Sequence, residues 1–204
     1  MRIISLYSYN YCSNTFLAVS NNECAIIDPG QPMEIIEEAL KKYALVPKFV
    51  LLTHGHFDHI FSLDNIRQKY SIPAYIHEED NEMLEDSFKN AYSFFFEGNL
   101  ALKSAEKTFK NEDIIKIGTE ELKIIHTPGH TKGSSCFLCD NILITGDTLF
   151  AEGIGRTDLY GGSSEAIFRS LGGMRNIEPS DEITIYAGHG RCEVLSLALD
   201  NSIY

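Results

Sequence analysis

A run of seven residues in the first third of the chain, Thr53–His59 (THGHFDH), holds three imidazoles and a carboxylate. Neighbouring imidazoles repel one another when charged and are costly to bury without a partner. A divalent cation removes both difficulties, because neutral imidazole and carboxylate are its natural ligands. In an extended stretch, His54 and His56 point to one side and can bind one ion. The following turn redirects Asp58 and His59 toward a second position, so the motif predicts a metal site.

Three further potential ligands each follow an apolar run and stand beside a glycine. They are His130 in TPGHT, Asp147 in TGDT and His189 in AGHG. Glycine lets the backbone approach an ion closely, and strand ends are the usual location of sites in layered α/β folds. Each motif alone is a weak signal, but together with the first cluster they predict one metal centre built from several loops. The other two histidines, His77 and His126, are left outside it.

The segments that position these motifs alternate β-like runs with amphipathic helices. In the first half we predict strands at 2–7, 15–20, 24–28, 49–53 and 74–77, and helices at 32–44 and 64–70. In the second half we predict strands at 114–117, 122–126, 134–138, 142–145 and 182–187, and helices at 164–171 and 194–200. Two β-rich halves with flanking helices indicate two packed sheets with the helices outside.

An aromatic segment, residues 88–96, lies between the two halves. Its rings are Phe88, Tyr92, Phe94, Phe95 and Phe96. Aromatic side chains at this density usually belong to a core, which is the interpretation we favour; the alternative is a wall that faces a substrate.

The composition restricts the class of protein. With 204 residues, 44% of them hydrophobic and 23% charged, the chain is expected to form a single domain over 1–204. A net charge of −12 argues against nucleic-acid and membrane-surface partners. The first residues lack a signal-peptide pattern, and no apolar run approaches the roughly 20 residues that span a bilayer. Five scattered cysteines indicate reduced thiols, so we expect a cytoplasmic protein.

Cys136 and Cys139 form a C-x-x-C pattern that resembles a redox pair or half of a zinc site. They lie in a predicted strand, where residues three apart point to opposite faces. We therefore interpret them as two small, half-buried side chains.

The chain resembles the metallo-β-lactamase superfamily of hydrolases. Within it, the resemblance is to short, single-domain members of the hydroxyacylglutathione hydrolase (glyoxalase II) group, and it is carried by 90–98 (NAYSFFFEG), 146–153 (GDTLFAEG) and 155–162 (GRTDLYGG). It implies a four-layer αββα sandwich, in which two mixed β-sheets pack together with helices outside. Full-length glyoxalase II enzymes carry a C-terminal helical domain that binds glutathione. This chain ends 15 residues after His189, so we expect it to lack that domain.

The resemblance also implies the ligands of two divalent metal ions. One ion would be held by His54, His56 and His130, the other by Asp58, His59 and His189, with Asp147 as the bridge. Zinc is the expected metal, and the same ligands also accept iron or manganese.

The implied activity is hydrolysis of a small thioester or ester by a metal-bridging hydroxide, with Asp58 and Asp147 as the catalytic residues. Two divalent ions, two carboxylates and one hydroxide leave the site with a formal charge of about +1, which attracts an anionic substrate. The candidate substrate contacts are Lys132, Arg156, Tyr160 and Arg191. For Arg156 the alternative role is an ion pair with Asp158. We expect a small-molecule substrate and a monomer or small homo-oligomer.

A different reaction class is the alternative. Persulfide dioxygenases share this fold and motif but resemble a single-iron site, which here would use His54, His130 and Asp147. Two ions per chain favour the hydrolase, whereas one iron with oxygen uptake on a persulfide favours the dioxygenase.

Overall fold

The computed structural model describes residues 1–7 and 11–202, and its framework is a pair of six-stranded β-sheets. The first sheet has the order β1-β2-β3-β4-β5-β6. Its strands are β1 (Arg2–Leu6), β2 (Thr15–Ser20), β3 (Glu23–Ile27), β4 (Val46–Leu51), β5 (Ala74–His77) and β6 (Lys107–Phe109). The pairs β1-β2 and β2-β3 are antiparallel, and the pairs from β3 to β6 are parallel. Parallel neighbours require long crossovers, and helices supply the first two.

The second sheet has the order β14-β13-β10-β9-β8-β7. Its strands are β7 (Ile114–Ile117), β8 (Glu120–His126), β9 (Ser135–Cys139), β10 (Ile142–Gly146), β13 (Thr184–Ala187) and β14 (Glu193–Val194). Its neighbours pair antiparallel except for β10 and β13. A two-stranded ribbon, β11 (Leu149–Phe150) and β12 (Gly153–Ile154), directly follows β10.

The helices are short and lie in the connections between strands. They are α1 (Met33–Lys42), α2 (Phe57–Ile60), α3 (Leu63–Tyr70), α4 (Tyr92–Phe95), α5 (Ser164–Met174) and α6 (Leu195–Asn201), with a 3₁₀ turn at Asn81–Glu85. Within residues 1–7 and 11–202, none of them has the length and apolar character needed to cross a membrane.

Strand alternation produces three apolar layers. Between the sheets, inward side chains of the first sheet such as Phe16 pack with side chains of the second such as Phe137. On the outer face of the first sheet, Leu17 packs with residues of α1 and α3. On the outer face of the second sheet, Leu143 packs with residues of α5 and α6. The order helix, sheet, sheet, helix confirms the predicted four-layer αββα sandwich.

The C-x-x-C pattern behaves as its strand spacing predicts. Cys136 lies in the apolar layer under α5 and α6, and Cys139 lies in the layer between the sheets. Both side chains are buried rather than half-buried, and burial raises the pKa of each thiol to about 11. The two thiols therefore point away from each other and stay protonated.

The interpretation of the aromatic segment as core is wrong. Phe88, Phe94 and Phe95 each expose half or more of their surface, and Phe96 exposes 38%. The segment is held instead by Asn90, a fully buried side chain whose amide donates to Leu100 O and whose carbonyl accepts from Tyr92 N. With these polar anchors, the turn 91–96 stands out from the sheets and its rings stay at the surface.

Candidate metal centre

The predicted ligands follow strands that end at one edge of the sandwich. Strand β4 leads through an extended stretch to His54 and His56, after which α2 begins and turns the chain at Asp58 and His59. In the other sheet, Asp147 directly follows β10, and His189 follows the neighbouring parallel strand β13. The carboxyl ends of parallel strands meet at one edge, so the topology brings these loops together.

The first group of donors is a triad of buried imidazoles. His56 Nδ1 lies 2.8 Å from His130 Nε2, and His130 Nε2 lies 3.2 Å from His54 Nε2. The three donor atoms lie within 4.8 Å of one another, so one ion can bind all three.

Hydrogen bonds behind the ligands fix which nitrogen faces the centre. The Nδ1–H of His130 donates to Arg156 O at 2.7 Å, and the Nδ1–H of His59 donates to Asp28 Oδ2 at 2.9 Å. The hydroxyl of Thr53 donates to Asp28 Oδ2 at 2.7 Å, so its oxygen accepts from His54 Nδ1 at 3.1 Å. In all three imidazoles the Nε2 lone pair is therefore directed to the centre, which is how such hydrogen bonds orient metal ligands.

The second group contains Asp58, His59 and His189, whose donor atoms also lie within 4.8 Å of one another. Asp58 Oδ2 is 3.0 Å from His189 Nε2 and 3.8 Å from His59 Nε2. Asp147 lies between the two groups: Oδ1 is 3.3 Å from His59 Nε2, and Oδ2 is 3.6 Å from His130 Nε2. Oδ2 is also 3.5 Å from His189 Nε2, so the carboxylate of Asp147 approaches ligands of both groups.

The pKa shifts differ between the two groups. Burial, together with the neighbouring imidazoles, lowers the pKa of His54 and of His56 well below the usual value, so both are neutral ligands at pH 7. Burial by itself also lowers the pKa of His59, but Asp147, Asp58 and Asp28 outweigh it and raise that pKa well above the usual value. The second group therefore attracts positive charge, and a bound cation takes the place of the proton.

Unsatisfied buried atoms fit a bound metal. Among the described side chains, His59 Nε2 and Asp147 Oδ1 are buried without a hydrogen-bond partner. Converging lone pairs and unpaired buried polar atoms cost free energy unless a cation binds them. The donors present, imidazole nitrogens and carboxylate oxygens, suit a divalent ion such as zinc or iron.

Asp80 connects the loops that carry the first group, and the local sequence patterns did not point to it. Its Oδ2 accepts from Thr131 Oγ1 at 2.6 Å and from Gly55 N at 3.2 Å, and its Oδ1 accepts from Gly133 N at 2.6 Å. Burial raises the pKa of Asp80 to about 6, although these three hydrogen bonds lower it. At pH 7 its carboxylate therefore links the loop of His54 and His56 to the loop of His130.

Replacing Asp80 with Ala is expected to loosen this connection. Two buried backbone N–H groups lose their acceptor, which costs roughly 1–3 kcal/mol each. Misplaced ligands weaken metal affinity by about 10–100-fold. Chemical denaturation and metal titration measure the two effects. Asp181→Ala is the matched control, because Asp181 is an exposed aspartate. Unchanged metal affinity in Asp80→Ala would show that the loops hold their positions without it.

Five of the seven candidate ligands form the floor of a cavity of about 420 Å³: His56, Asp58, His130, Asp147 and His189. Its walls are mainly apolar and are formed by Tyr11, Phe57, Ala91, Phe95, Phe150, Gly155, Arg156 and Leu159. One ring of the aromatic segment, Phe95, thus faces this cavity, in agreement with the alternative interpretation of a wall. Apart from Phe95, which belongs to that segment, none of these apolar residues was singled out as a substrate contact, because their types are common in any core.

Of the four candidate substrate contacts, only Arg156 is among the described residues that line the cavity, and acidic or aromatic groups engage all four. Arg156 lines the cavity but binds Asp158 through two hydrogen bonds of 2.7 and 2.8 Å, which confirms its alternative role. Arg191 lies in a neighbouring groove and pairs with Glu193 and Glu152. The Tyr160 hydroxyl donates to Glu82, and the Lys132 ammonium lies 5.7 Å from the Tyr160 ring centroid.

The remaining histidines lie outside this cluster. The rings of His77 and His126 stack on each other, with centroids 4.1 Å apart and 12° between their planes. His126 Nε2 donates to Lys132 O at 2.8 Å, so this imidazole supports the loop that follows His130.

Known proteins are similar to this chain in both sequence and fold. One similar sequence is the probable metallo-hydrolase YqgX of Bacillus subtilis (strain 168), which is 36% identical over 180 residues, 87% of this chain and 85% of the relative. Another is the hydroxyacylglutathione hydrolase GloC of Haemophilus influenzae, which is 33% identical over 169 residues, 81% of this chain and 79% of the relative.

Two solved structures are similar over nearly the whole chain. The BLEG-1 B3 metallo-beta-lactamase superposes with a TM-score of 0.89 and 31% identity, covering 99% of this chain and 98% of that one. TTHA1623 in a di-iron-bound form superposes with a TM-score of 0.82 and 25% identity, covering 98% of both chains. The model of the metallo-beta-lactamase superfamily matches residues 12–189, a range that contains all seven candidate ligands. With its αββα fold and its clustered His and Asp donors, the chain belongs to the metallo-β-lactamase superfamily.

Proposed function

We propose that this protein is a binuclear metallohydrolase that cleaves a small thioester or ester. The observation that carries the proposal is the position of Asp147, whose two oxygens lie near the two groups of donors. The similarity of the chain to a hydroxyacylglutathione hydrolase supports a thioester as the substrate. Its similarity to a protein solved in a di-iron-bound form supports two metal ions. Zinc is the proposed metal, with iron or manganese as alternatives.

The proposed ligands divide as the geometry groups them. His54, His56 and His130 hold one ion, and Asp58, His59 and His189 hold the other, with Asp147 between them. Bound divalent ions supply a nucleophilic hydroxide at neutral pH and polarise the carbonyl of the substrate.

The chain's own groups perform the remaining steps. Asp58 lines the cavity with its side chain 14% exposed, so its carboxylate can accept a proton from water at the floor. Asp28 and Thr53 hold His59 and His54 in orientation from behind. A thiolate is a good leaving group, so cleavage of a thioester requires no strong acid from the protein.

Metal reconstitution with a thioester assay tests the proposal. Chelator-treated protein is reloaded with zinc, iron or manganese, its ion content is measured, and hydrolysis of S-lactoylglutathione and of a simple small thioester is followed. We expect activity to rise with occupancy and to saturate at two ions per chain. The absence of hydrolysis with every metal would refute the proposal, and one iron per chain with oxygen uptake on glutathione persulfide would assign the dioxygenase instead.

A further inference from the structure

The apolar residues that form the walls of the cavity differ chemically from the candidate ligands that form its floor. Polar ligand atoms occupy the floor, whereas Tyr11, Phe57, Phe95, Phe150 and Leu159 contribute rings and an aliphatic side chain to the walls. Apolar walls stabilise a ligand by removing its apolar surface from water. A substrate whose reacting carbonyl lies at the floor therefore places its neighbouring groups against rings.

The aromatic side chains of this wall are held in place by ring packing and by a backbone hydrogen bond. Phe57 is only 7% exposed because it packs edge-on or tilted against Phe61, Tyr92, Phe95 and Phe96, with centroids 5.4–6.1 Å apart. The backbone N–H of Phe57 donates to Asn90 O at 2.9 Å, which ties α2 to the aromatic segment. The α2 helix carries Asp58 and His59, so the wall has a defined position relative to the ligands.

The cavity offers little free positive charge besides the metal centre. Among the described lining residues, Arg156 is the one Lys or Arg, and Asp158 occupies its guanidinium. The Arg156 hydrogen bond lowers the pKa of Asp158 to about 2, so this pair stays ionised and intact at neutral pH. A charged group such as a tripeptide thus meets one cation on these walls, and Asp158 already offsets the charge of that cation through two hydrogen bonds.

We propose that the substrate carries an apolar aromatic or branched aliphatic group next to its thioester, and that Phe95 and its neighbours bind this group. The inference rests on the proposed hydrolase function and specifies its substrate class. The apolar group belongs either to the acyl half or to the thiol half, since both adjoin the reacting carbonyl.

Two matched pairs of thioesters show whether the acyl half or the thiol half of the substrate carries the apolar group. In the first pair the thiol is N-acetylcysteamine and the acyl group is lactoyl or 3-phenyllactoyl. In the second pair the acyl group is lactoyl and the thiol is N-acetylcysteamine or benzyl mercaptan. We expect kcat/KM to be at least about tenfold higher for the phenyl-containing member of one pair, because the apolar walls remove the added phenyl ring from water.

Substitution of Phe95 tests the assignment of the wall. Phe95→Ala is expected to reduce the ratio of phenyl to non-phenyl kcat/KM at least fivefold. The control is Phe94→Ala, because Phe94 is 54% exposed and packs on Phe88 away from the cavity; it should leave the ratio within twofold of the wild-type value.

The outcomes separate the inference from the proposed function. Hydrolysis of all substrates with no phenyl preference in either pair overturns the inference alone. A preference that Phe95→Ala leaves unchanged also overturns it, because the apolar group then binds elsewhere. No hydrolysis of any thioester overturns the proposed function and the inference with it.

Discussion

Asp147→Ala is expected to abolish hydrolysis while leaving the fold in place. The carboxylate lies between the two groups of donors, with its two oxygens 3.3–3.6 Å from His59, His130 and His189. Burial opposes its ionisation, but His59, His189 and His130 outweigh this effect and lower its pKa well below the usual value. Its loss removes the charge that holds the two groups together, and we expect kcat/KM to fall by at least about 10³-fold, roughly 4 kcal/mol.

Three measurements on the same preparation check this result. Steady-state kinetics give the loss of activity, mass spectrometry gives the ions per chain, and circular dichroism gives the melting temperature of the metal-free protein. We expect the ion count to fall from two to one or none, with a metal-free melting temperature close to wild type. Asp181→Ala, at an exposed aspartate, is the matched control. Activity within tenfold of wild type at two ions per chain would show that Asp147 is not the bridge.

Gly188→Ala is the second substitution from which we expect a large effect. A Cβ atom at this position would lie 2.2 Å from Asp147 Oδ1 and 2.7 Å from His59 Cε1, closer than side-chain contacts allow. Its backbone has little room to move, because Gly188 N donates to Gly146 O and Gly188 O accepts from Asn14 N. The new methyl group must therefore displace a ligand, and we expect about 100-fold or more loss of kcat/KM, because misplaced catalytic groups cost at least that much.

A second glycine provides the control for this experiment. Gly172 lies exposed in α5, and an added Cβ would meet no atom within 4 Å. Gly172→Ala should keep wild-type kinetics and stabilise the protein slightly, by about 0.5–1 kcal/mol, because alanine favours a helix. Full metal content and activity within about threefold in Gly188→Ala would contradict the close packing of this glycine against the ligands.

Much of the fold was predictable from local patterns. The strands and helices that were predicted fall close to their expected bounds: β5 spans Ala74–His77 as predicted, and α1 is two residues shorter at its C-terminal end than expected. The short elements β6, β11, β12, β14, α2 and α4 were not predicted. Local patterns predict the other elements because the residues that face a core recur along the chain with the repeat of a helix or of a strand. The outcome for Cys136 and Cys139 follows from the same rule, since three residues along a strand always reverse the face.

Several features of the site depend on residues that are far apart in the chain. Asp80 accepts hydrogen bonds from Gly55 and Thr131, and Thr131 is 51 residues away, so no local pattern marks it as the connection between two ligand loops. Phe95 belongs to a segment whose composition indicates a core. Only the anchoring of that segment by Asn90 and its packing on Phe57 turn its rings toward the cavity.

The sequence by itself determined which donors are present and that they follow strands, because ligand chemistry belongs to residue types and strand ends follow from local patterning. It also identified the family through short motifs. Tertiary structure decided which atoms face one another: Arg156 binds Asp158, the Nε2 atoms of His54, His59 and His130 point to the centre, and the aromatic segment lines the cavity. These outcomes depend on the order of strands in two sheets and on loop hydrogen bonds that join residues far apart in the chain, such as Asn14 N to Gly188 O.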